Sequence, residues 1–305
     1  MQSNVYTRLN TFLRERFGCR VQKITIDAGL TCPNRDGTIS RGGCIYCNAR
    51  GSGTGLAHMS ITQQLNLGKK RLYRRYKAKK FLAYFQAHTN TYAKAHHLKA
   101  LYDEALSVPD IVGLCIGTRP DCVSDEILDL LQSYTQKYLI WLEYGLQSIH
   151  NKTLKLINRG HDSQAFIDAI TATRYRNILT CAHLIIGLPY ETRDHVSQTA
   201  NAVAALGIDA VKIHLLYVVR DTQMEKMYRN GKYHCLYPSQ YADWVCDVIE
   251  RLPIKTVIQR LTGDPHPQEL IAPTWALNKR ATLDLIHHRL EARKTYQGRI
   301  LGQSG

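Results

Sequence analysis

Three cysteines in one short segment are the residues best suited to chemistry in this 305-residue sequence. Eleven residues separate Cys32 from Cys44, and Cys47 follows in a C-x-x-C pair. Three thiolates can ligate three irons of a [4Fe–4S] cluster and leave the fourth iron open to a small ligand. The alternative is a zinc ion held by the same thiolates and a distant histidine. The spacing favours the cluster, because zinc ribbons usually present two C-x-x-C pairs and this sequence has one.

The elements that must position this segment follow a repeating order of strand, loop and helix. Six short, largely apolar strands are predicted, at residues 20–27, 81–86, 111–117, 139–145, 180–187 and 210–216. Their alternation with helices predicts a parallel sheet with right-handed crossovers, which a complete or partial barrel and an open doubly wound sheet both satisfy. No G-x-G-x-x-G follows the first strand, which weighs against a dinucleotide-binding sheet. The cysteine segment therefore lies at the end of the sheet where active sites collect.

The C-terminal residues extend this pattern with helices predicted around 238–252 and 278–296. No linker rich in Pro, Gly or Ser precedes them. We therefore predict a core over residues 1–220 and an extension over residues 221–305 that packs on the same domain.

Composition and charge exclude several classes of protein. The sequence is 44% apolar, its apolar runs are far shorter than a membrane span, and residues 1–17 have no secretory apolar core. Nine unevenly spaced cysteines do not suggest a disulfide framework. With 40 Lys and Arg against 25 Asp and Glu, the net charge is +15, which favours a polyanionic partner. We predict a basic cytoplasmic protein that has no contact with membranes.

The segment CPNRDGTISRGGCIYC at residues 32–47 resembles the cluster loop of radical S-adenosylmethionine (SAM) enzymes. The commoner spacing there is C-x3-C-x2-C, and the long first gap is similar to the Elongator catalytic subunit and, more closely, to the YhcC/YtqA (MnmL) branch. Further segments follow in the order of that branch, so that the resemblance covers residues 15–296. They are FQAHTNTY at 85–92, IGTRPDCV at 116–123, LEYGLQS at 142–148, LIIGLPYET at 184–192, VKIHLLYV at 211–218 and RLTGDPHPQELIAPTW at 260–275.

The resemblance implies a partial (β/α)6 barrel of the radical SAM TIM type with a C-terminal helical extension. It also implies a [4Fe–4S] cluster on Cys32, Cys44 and Cys47 whose open iron is chelated by SAM. One electron then cleaves SAM to a 5′-deoxyadenosyl radical, which abstracts a hydrogen atom from the substrate. An electron donor such as flavodoxin or ferredoxin is expected as a partner.

The SAM contacts that the resemblance implies are spread over several strand ends. Many radical SAM enzymes bind the SAM amino group with a Gly-Gly-Glu-type segment after strand two. In this sequence, residues 86–91 (QAHTNT) stand at that place. Gln86 and Asn90 are the residues of this segment that we expect to bind the amino group. Glu143 is expected to accept the ribose hydroxyls, and a buried, structurally paired glutamate is its alternative. The other expected contacts to SAM are Tyr46 (or simple packing of the loop), Gln147, Ile185 and Gly187.

Three further polar residues are expected to act on the substrate side. Arg119 follows strand three and would hold a carboxylate, or pair with Asp121 as loop structure. Lys212 and His214 alternate along strand six and so face the same side. If that side is the interior, they are candidates for substrate contact or proton transfer; a histidine satisfied in the barrel wall is the alternative.

A basic helix follows the cluster loop and favours a nucleic acid as the substrate. Its cations Lys70, Arg71, Arg74 and Arg75 are predicted to grip phosphates near the rim that holds the cluster. Because the YhcC/YtqA (MnmL) branch is linked to wobble-uridine modification, the resemblance implies tRNA as the substrate, at the step from 5-carboxymethylaminomethyl- to 5-aminomethyl-uridine. A small-molecule or peptide substrate, and a non-catalytic metal-containing nucleic-acid-binding protein, are the alternatives.

Overall fold

Seven parallel strands form a curled, half-closed barrel in a computed structural model that describes residues 5–48, 50, 51 and 53–301. The order across the sheet is β1-β2-β3-β4-β5-β6-β8, and a two-stranded antiparallel sheet pairs β7 with β9. The strands are β1 (Val21–Ile26), β2 (Lys80–Phe85), β3 (Ile111–Thr118), β4 (Leu139–Gln147), β5 (Leu179–Ile186), β6 (Ala210–Leu215), β7 (Val218–Val219), β8 (Val257–Arg260) and β9 (Leu270–Ala272).

Helices cover the outer face of the sheet and bury its apolar residues. Two of them begin at the serines expected to cap them, since Ser60 accepts a hydrogen bond from the Gln63 amide and Ser124 from the Ile127 amide. The helices are α1 (Leu9–Phe17), α2 (Ile61–Tyr76), α3 (Ala95–Ser107), α4 (Asp125–Tyr134), α5 (Asn151–Leu156), α6 (Ser163–Thr173), α7 (Arg193–Ala205), α8 (Gln223–Arg229), α9 (Pro238–Arg251) and α10 (Lys279–Ala292).

The prediction of a partial barrel is confirmed, and the six predicted strands are all present. The structure adds β8, which comes from the C-terminal residues and pairs in parallel with β6. Four residues are too few to show a clear hydrophobic period, so this strand was not distinguished in the sequence. The division of the chain at residue 220 stays a prediction.

Helix α1 closes the end of the barrel where the strands begin. Leu13 is buried with Val21, Trp141 and Val257 in an apolar cluster that also includes Cys115 and Cys181. This cluster forms a dry floor inside the barrel, so the interior is open only towards the carboxyl ends of the strands. None of the helices in the described ranges is long and apolar enough to cross a membrane.

The basic half of α2 lies at this closed end, and the prediction that it lies near the cluster rim is wrong. Lys80 packs over the Phe17 ring and Arg20 over the Tyr76 ring, next to the start of β1. The reason is topological: a crossover helix runs antiparallel to its strands, so the end of α2 returns to the strand starts. The helix has sixteen residues and is therefore about 24 Å long, and the four basic residues lie in its second half.

Candidate active site

The three cysteines lie together at the open end of the barrel, in the loop that follows β1. Cys32 and Cys44 are buried and Cys47 is half-buried. The pKa of the Cys47 thiol is raised to about 11, mainly because the thiol is buried and secondly because Cys44 lies close to it. A buried group of thiols that must lose their protons is stabilised by cationic metal and by donors to sulfur.

Such donors surround the thiols. Asn34 Nδ2 and Arg159 Nη1 each lie 3.7 Å from Cys44 Sγ, and Arg35 Nη1 lies 3.8 Å from Cys47 Sγ. Hydrogen bonds to sulfur are one of the means by which proteins set the potential of iron–sulfur clusters. The three thiols, the donors and the open position above them fit a cluster held by Cys32, Cys44 and Cys47.

The zinc alternative fits less well. Across the residues that the structure describes, no three His, Cys, Asp or Glu side chains converge closely enough to hold one metal ion. A single zinc ion requires four ligands around one centre, whereas each cysteine of a cluster binds a different iron. The described residues therefore offer no ready-made single-metal site, and three thiols in one loop remain compatible with a cluster.

Arg159 connects the cysteine loop to the end of β4. Its side chain is buried, and Nη2 donates to the Gly145 carbonyl at 2.8 Å while Nη1 faces Cys44. A Cβ on Gly145 would lie 2.5 Å from Arg159 Nη2, so only glycine admits the guanidinium there. Arg159 and Asn34 were not predicted from the sequence. The signal for Arg159 was weak: a charged residue between Asn158 and Gly160, in the loop that joins α5 to α6.

Arg119 forms hydrogen bonds within the protein, and its role towards a substrate carboxylate stays a prediction. It is 2% exposed, its Nε and Nη2 donate to Asp121 at 2.9 and 2.7 Å, and Nη1 donates to the Arg159 carbonyl at 2.7 Å. With its donors bound to protein acceptors, it positions Arg159 and hence the cysteine loop. The pairing with Asp121 is the second alternative that the sequence left open.

The loop after β2 offers acceptors of the kind an ammonium group needs. Asn90 is fully buried; its Nδ2 donates to the Gly117 carbonyl at 2.9 Å, and its Oδ1 has no partner among the described residues. Tyr102 Oη donates to the Asn90 carbonyl at 2.6 Å and holds the loop rigid. A buried unpaired oxygen at a strand end is costly unless a ligand uses it. This atom, with half-buried Gln86, fits the expected contact to the SAM amino group, which stays a prediction.

The remaining expected SAM contacts lie at the ends of β4 and β5. Tyr46 and Ile185 pack on the same apolar cluster at the barrel mouth. Gln147 follows a bulge in β4 with a φ of 71°, and Gly187 has a φ of 92° that favours glycine. The Gly187 carbonyl accepts from Tyr233 at 2.7 Å, and a Cβ at Gly187 would lie 3.3 Å from Leu236 Cδ1, so protein atoms already occupy this side of the residue. The contacts of these four residues to SAM stay predictions.

Glu143 lies deeper, in the middle of the barrel, and is fully buried. One carboxylate oxygen accepts from Lys23 at 2.7 Å; the other accepts from Lys212 and lies 3.0 Å from His183 Nε2. Burial alone would raise the pKa of Glu143, but Lys212 and Lys23 outweigh it and hold the pKa well below its usual range. Because both oxygens are paired, the arrangement matches the structural alternative and weighs against the ribose-binding role.

Lys212 and His214 both face the interior, and their catalytic roles stay predictions. The Lys212 ammonium lies 3.9 Å above the centre of the Tyr84 ring, and burial lowers its pKa to about 8 although Glu143 opposes the shift. Burial also lowers the pKa of His214 well below its ordinary value. Gly263 packs against this ring, since a Cβ there would lie 2.3 Å from His214 Cε1.

The buried His183 predicts a loss of stability in mild acid. Burial lowers the pKa of His183 to about 4 in the folded protein, while an unfolded histidine keeps about 6.5. Between these values only the unfolded chain takes up the proton, so stability falls as pH falls. We expect this residue to cost about 2 kcal/mol between pH 7 and pH 5, measured by urea unfolding of the holoprotein. His183→Gln should flatten this pH dependence and His58→Gln, at an exposed position, should not; an unchanged slope in His183→Gln would contradict the assignment.

The comparisons with known proteins agree with this site. The radical SAM superfamily matches residues 34–203, and the radical SAM C-terminal domain matches residues 208–292. The chain belongs to the radical SAM superfamily. Its members are enzymes that use a [4Fe–4S] cluster and SAM, and these are the cofactors of this chain.

Individual relatives narrow the relationship. The chain is 41% identical over 297 residues to the uncharacterized protein YtqA of Bacillus subtilis, covering 97% of this chain and 92% of YtqA. It is 41% identical over 269 residues to protein YhcC of Escherichia coli K12, covering 88% of this chain and 86% of YhcC. Among solved structures, the archaeal Elp3 of Methanocaldococcus infernus has a TM-score of 0.71 at 16% identity, covering 91% of this chain and 64% of that one. The last match shows a shared fold.

Proposed function

We propose that this chain is a radical SAM enzyme that modifies the C5 side chain of the wobble uridine in tRNA, at the step from carboxymethylaminomethyl to aminomethyl. The observation that supports the proposal is the set of segments from residue 32 to residue 275 that follow the order of the YhcC/YtqA (MnmL) branch. When bound, the cluster and SAM would supply a 5′-deoxyadenosyl radical that takes a hydrogen atom from the methylene next to the carboxylate of the C5 substituent. That carbon would then pass one electron to a one-electron acceptor, for which the oxidised cluster is available. Water would hydrolyse the resulting imine, so that the C–N bond breaks, the aminomethyl group stays on the uridine and the carboxymethyl carbons leave as glyoxylate.

The residues of this chain would position and shield that chemistry. The apolar floor, which includes Trp141, would keep water out of the barrel at the end where the strands begin. Arg159 contacts Cys44, and Arg119 donates to the Arg159 carbonyl, so the two arginines would hold the cysteine loop in place. The half-closed barrel leaves an open side, which suits an unpaired nucleotide in a loop of a polymer. A reductant is needed to start each turnover, and flavodoxin or ferredoxin is the donor we propose.

One anaerobic experiment tests the reaction class and the substrate. The purified protein should contain about four irons per chain, and with dithionite and SAM it should release 5′-deoxyadenosine. Nucleosides from tRNA of a deletion strain should accumulate 5-carboxymethylaminomethyl-uridine. SAM cleavage with unchanged tRNA nucleosides would retain the enzyme class and refute tRNA in favour of a small-molecule or peptide substrate.

The cations of α2 remain our proposed phosphate contacts, although they lie at the closed end of the barrel. Arg71, Arg74 and Arg75 are exposed on the helix. An RNA that reaches the mouth would have to extend along the outside of the barrel to touch them.

We expect the triple substitution of Arg71, Arg74 and Arg75 by Gln to weaken tRNA binding at low salt and to reduce the salt dependence. Each lost phosphate contact should lower the slope of log K against log salt by about 0.7–0.9. Filter binding at several salt concentrations measures it, with Arg280→Gln as control, because the Arg280 side chain is 94% exposed but lies on α10. Unchanged binding by the triple variant would show that the RNA does not reach the closed end.

A further inference from the structure

The interior of the barrel carries more positive than negative charge. Lys23, Lys212 and Arg260 lie in the layer above the apolar floor, and the salt bridges that the described residues form in this layer are those of Lys23, Lys212 and His183 with Glu143. The two histidines of this layer stay neutral near pH 7, because burial lowers the pKa of His183 to about 4 and that of His214 well below its usual value. Three cations therefore face one buried anion.

Lys23 and Lys212 are already bound to Glu143, but Arg260 is not. Arg260 lies beside Lys212 in the register of β6 and β8. Its buried Nε has no hydrogen-bond partner among the described residues, and the salt bridges of this layer all end on Glu143. Arg260 as a whole is half-buried, but a buried Nε–H without an acceptor is costly, so a bound anion would stabilise this arrangement.

A second unsatisfied donor lies on the same strand. Gln259 accepts from Lys23 through Oε1 at 2.6 Å, which turns its Nε2 away as a buried donor without a partner in the described chain. The pairing of β6 with β8 shifts register between Val211 and Lys212, so Gln259 is an extra residue of β8, and such a bulge allows consecutive residues to face the same side. Gln259 and Arg260 thus offer two unpaired donors near Lys212, as the two oxygens of one carboxylate require. Solvent reaches this layer, since the side chains of His183 and Lys23 are 21% and 15% exposed.

We propose that Arg260, Gln259 and Lys212 form a binding site for a carboxylate of the substrate inside the barrel. This inference rests on the proposed function in one respect: the carboxylate would be that of the carboxymethylamino group on the wobble uridine. Bound there, the substituent reaches into the barrel with its carboxylate at the bottom. Its methylene carbons then face the opening that the SAM contacts border. The aminomethyl product lacks the carboxylate and carries a positive charge, so the same cations would favour its release.

The test compares two synthetic anticodon stem-loops that differ only at the wobble base. One carries 5-carboxymethylaminomethyl-uridine and the other 5-aminomethyl-uridine, and their dissociation constants are measured with the cluster-loaded enzyme. S-adenosylhomocysteine replaces SAM so that no turnover occurs. We expect the wild type to prefer the carboxylate-bearing loop by about tenfold or more, as for hydrogen bonds to a charged group. Arg260→Gln should lose that preference, Arg260→Lys should keep part of it, and Arg280→Gln should keep all of it.

Two further measurements separate the possible outcomes. Arg260→Gln should bind S-adenosylhomocysteine as the wild type does. If it instead loses that affinity and still distinguishes the two loops, the site holds the amino-acid carboxylate of the cofactor and the proposal is overturned.

The second measurement tests the site without RNA. It compares the midpoint temperature of unfolding with and without N-methylglycine, which serves as a small carboxylate probe. If this probe stabilises the wild type and not Arg260→Gln while neither loop is preferred, the carboxylate site is supported and the tRNA substrate is refuted. If the probe stabilises both proteins equally and the variant keeps the loop preference, the site is refuted.

Discussion

Replacing any one of Cys32, Cys44 and Cys47 by Ala should abolish the cluster, with iron falling from about four atoms per chain to none. Two thiolates leave two irons without a protein ligand, and water and oxygen then reach a cluster that the buried loop normally protects. Iron and sulfide analysis and the brown absorbance measure this loss. SAM cleavage should disappear with the cluster, because the electron that breaks the sulfonium bond enters through it.

The other buried cysteines provide a matched control. Cys246 is fully buried on α9, where its thiol contacts the Ile286 carbonyl at 3.9 Å, far in the fold from the cysteine loop. Cys246→Ala should keep four irons and lower the free energy of unfolding by a few kcal/mol at most, about 1–3 kcal/mol. Loss of iron in Cys246→Ala or Cys115→Ala, or a cluster that survives in Cys44→Ala, would show that the ligand assignment is wrong.

The second large effect is expected from Glu143→Gln, which should destabilise the protein by about 3–5 kcal/mol. The substitution leaves Lys23 and Lys212 buried beside each other and beside Arg260, without the carboxylate that both bind. Urea unfolding of the holoprotein at pH 7 measures the loss. Asp284→Asn is the control, because its pair with Arg280 is exposed and spans 3.8 Å, so it should cost less than about 1 kcal/mol.

This variant also decides between the two roles of Glu143. The double variant Glu143→Gln with Lys212→Gln removes one cation together with the carboxylate, and should recover part of the stability that the single variant loses. If Glu143 instead binds the SAM ribose, the single variant should lose affinity for S-adenosylhomocysteine while its unfolding midpoint stays that of the wild type. That result would refute the structural role.

Strand order and the cysteine loop were predictable because each depends on residues close together in the chain. Alternating apolar runs and helices define a parallel sheet, and a parallel sheet places the loop after strand one at the edge where sites form. Cys44 and Cys47 are neighbours in sequence, so their chemistry needs no knowledge of the fold. Strand β8 was missed because four residues carry too little pattern.

The amino-acid order was sufficient to predict the cysteine loop, the partial barrel and, through the resemblance to a known family, the cofactors. The pairing of the charged residues depended on the folded structure. Lys23 is the one charged residue of β1 and His183 the one histidine of β5, a signal that was present, but their common partner Glu143 lies more than a hundred positions from Lys23. Curling the sheet brings the inward-facing residues of β1, β4, β6 and β8 into one layer, and the low dielectric there makes their pairing decisive. The structure therefore pairs Arg119 with Asp121 and, among the residues it describes, leaves the buried Nε of Arg260 without a hydrogen-bond partner.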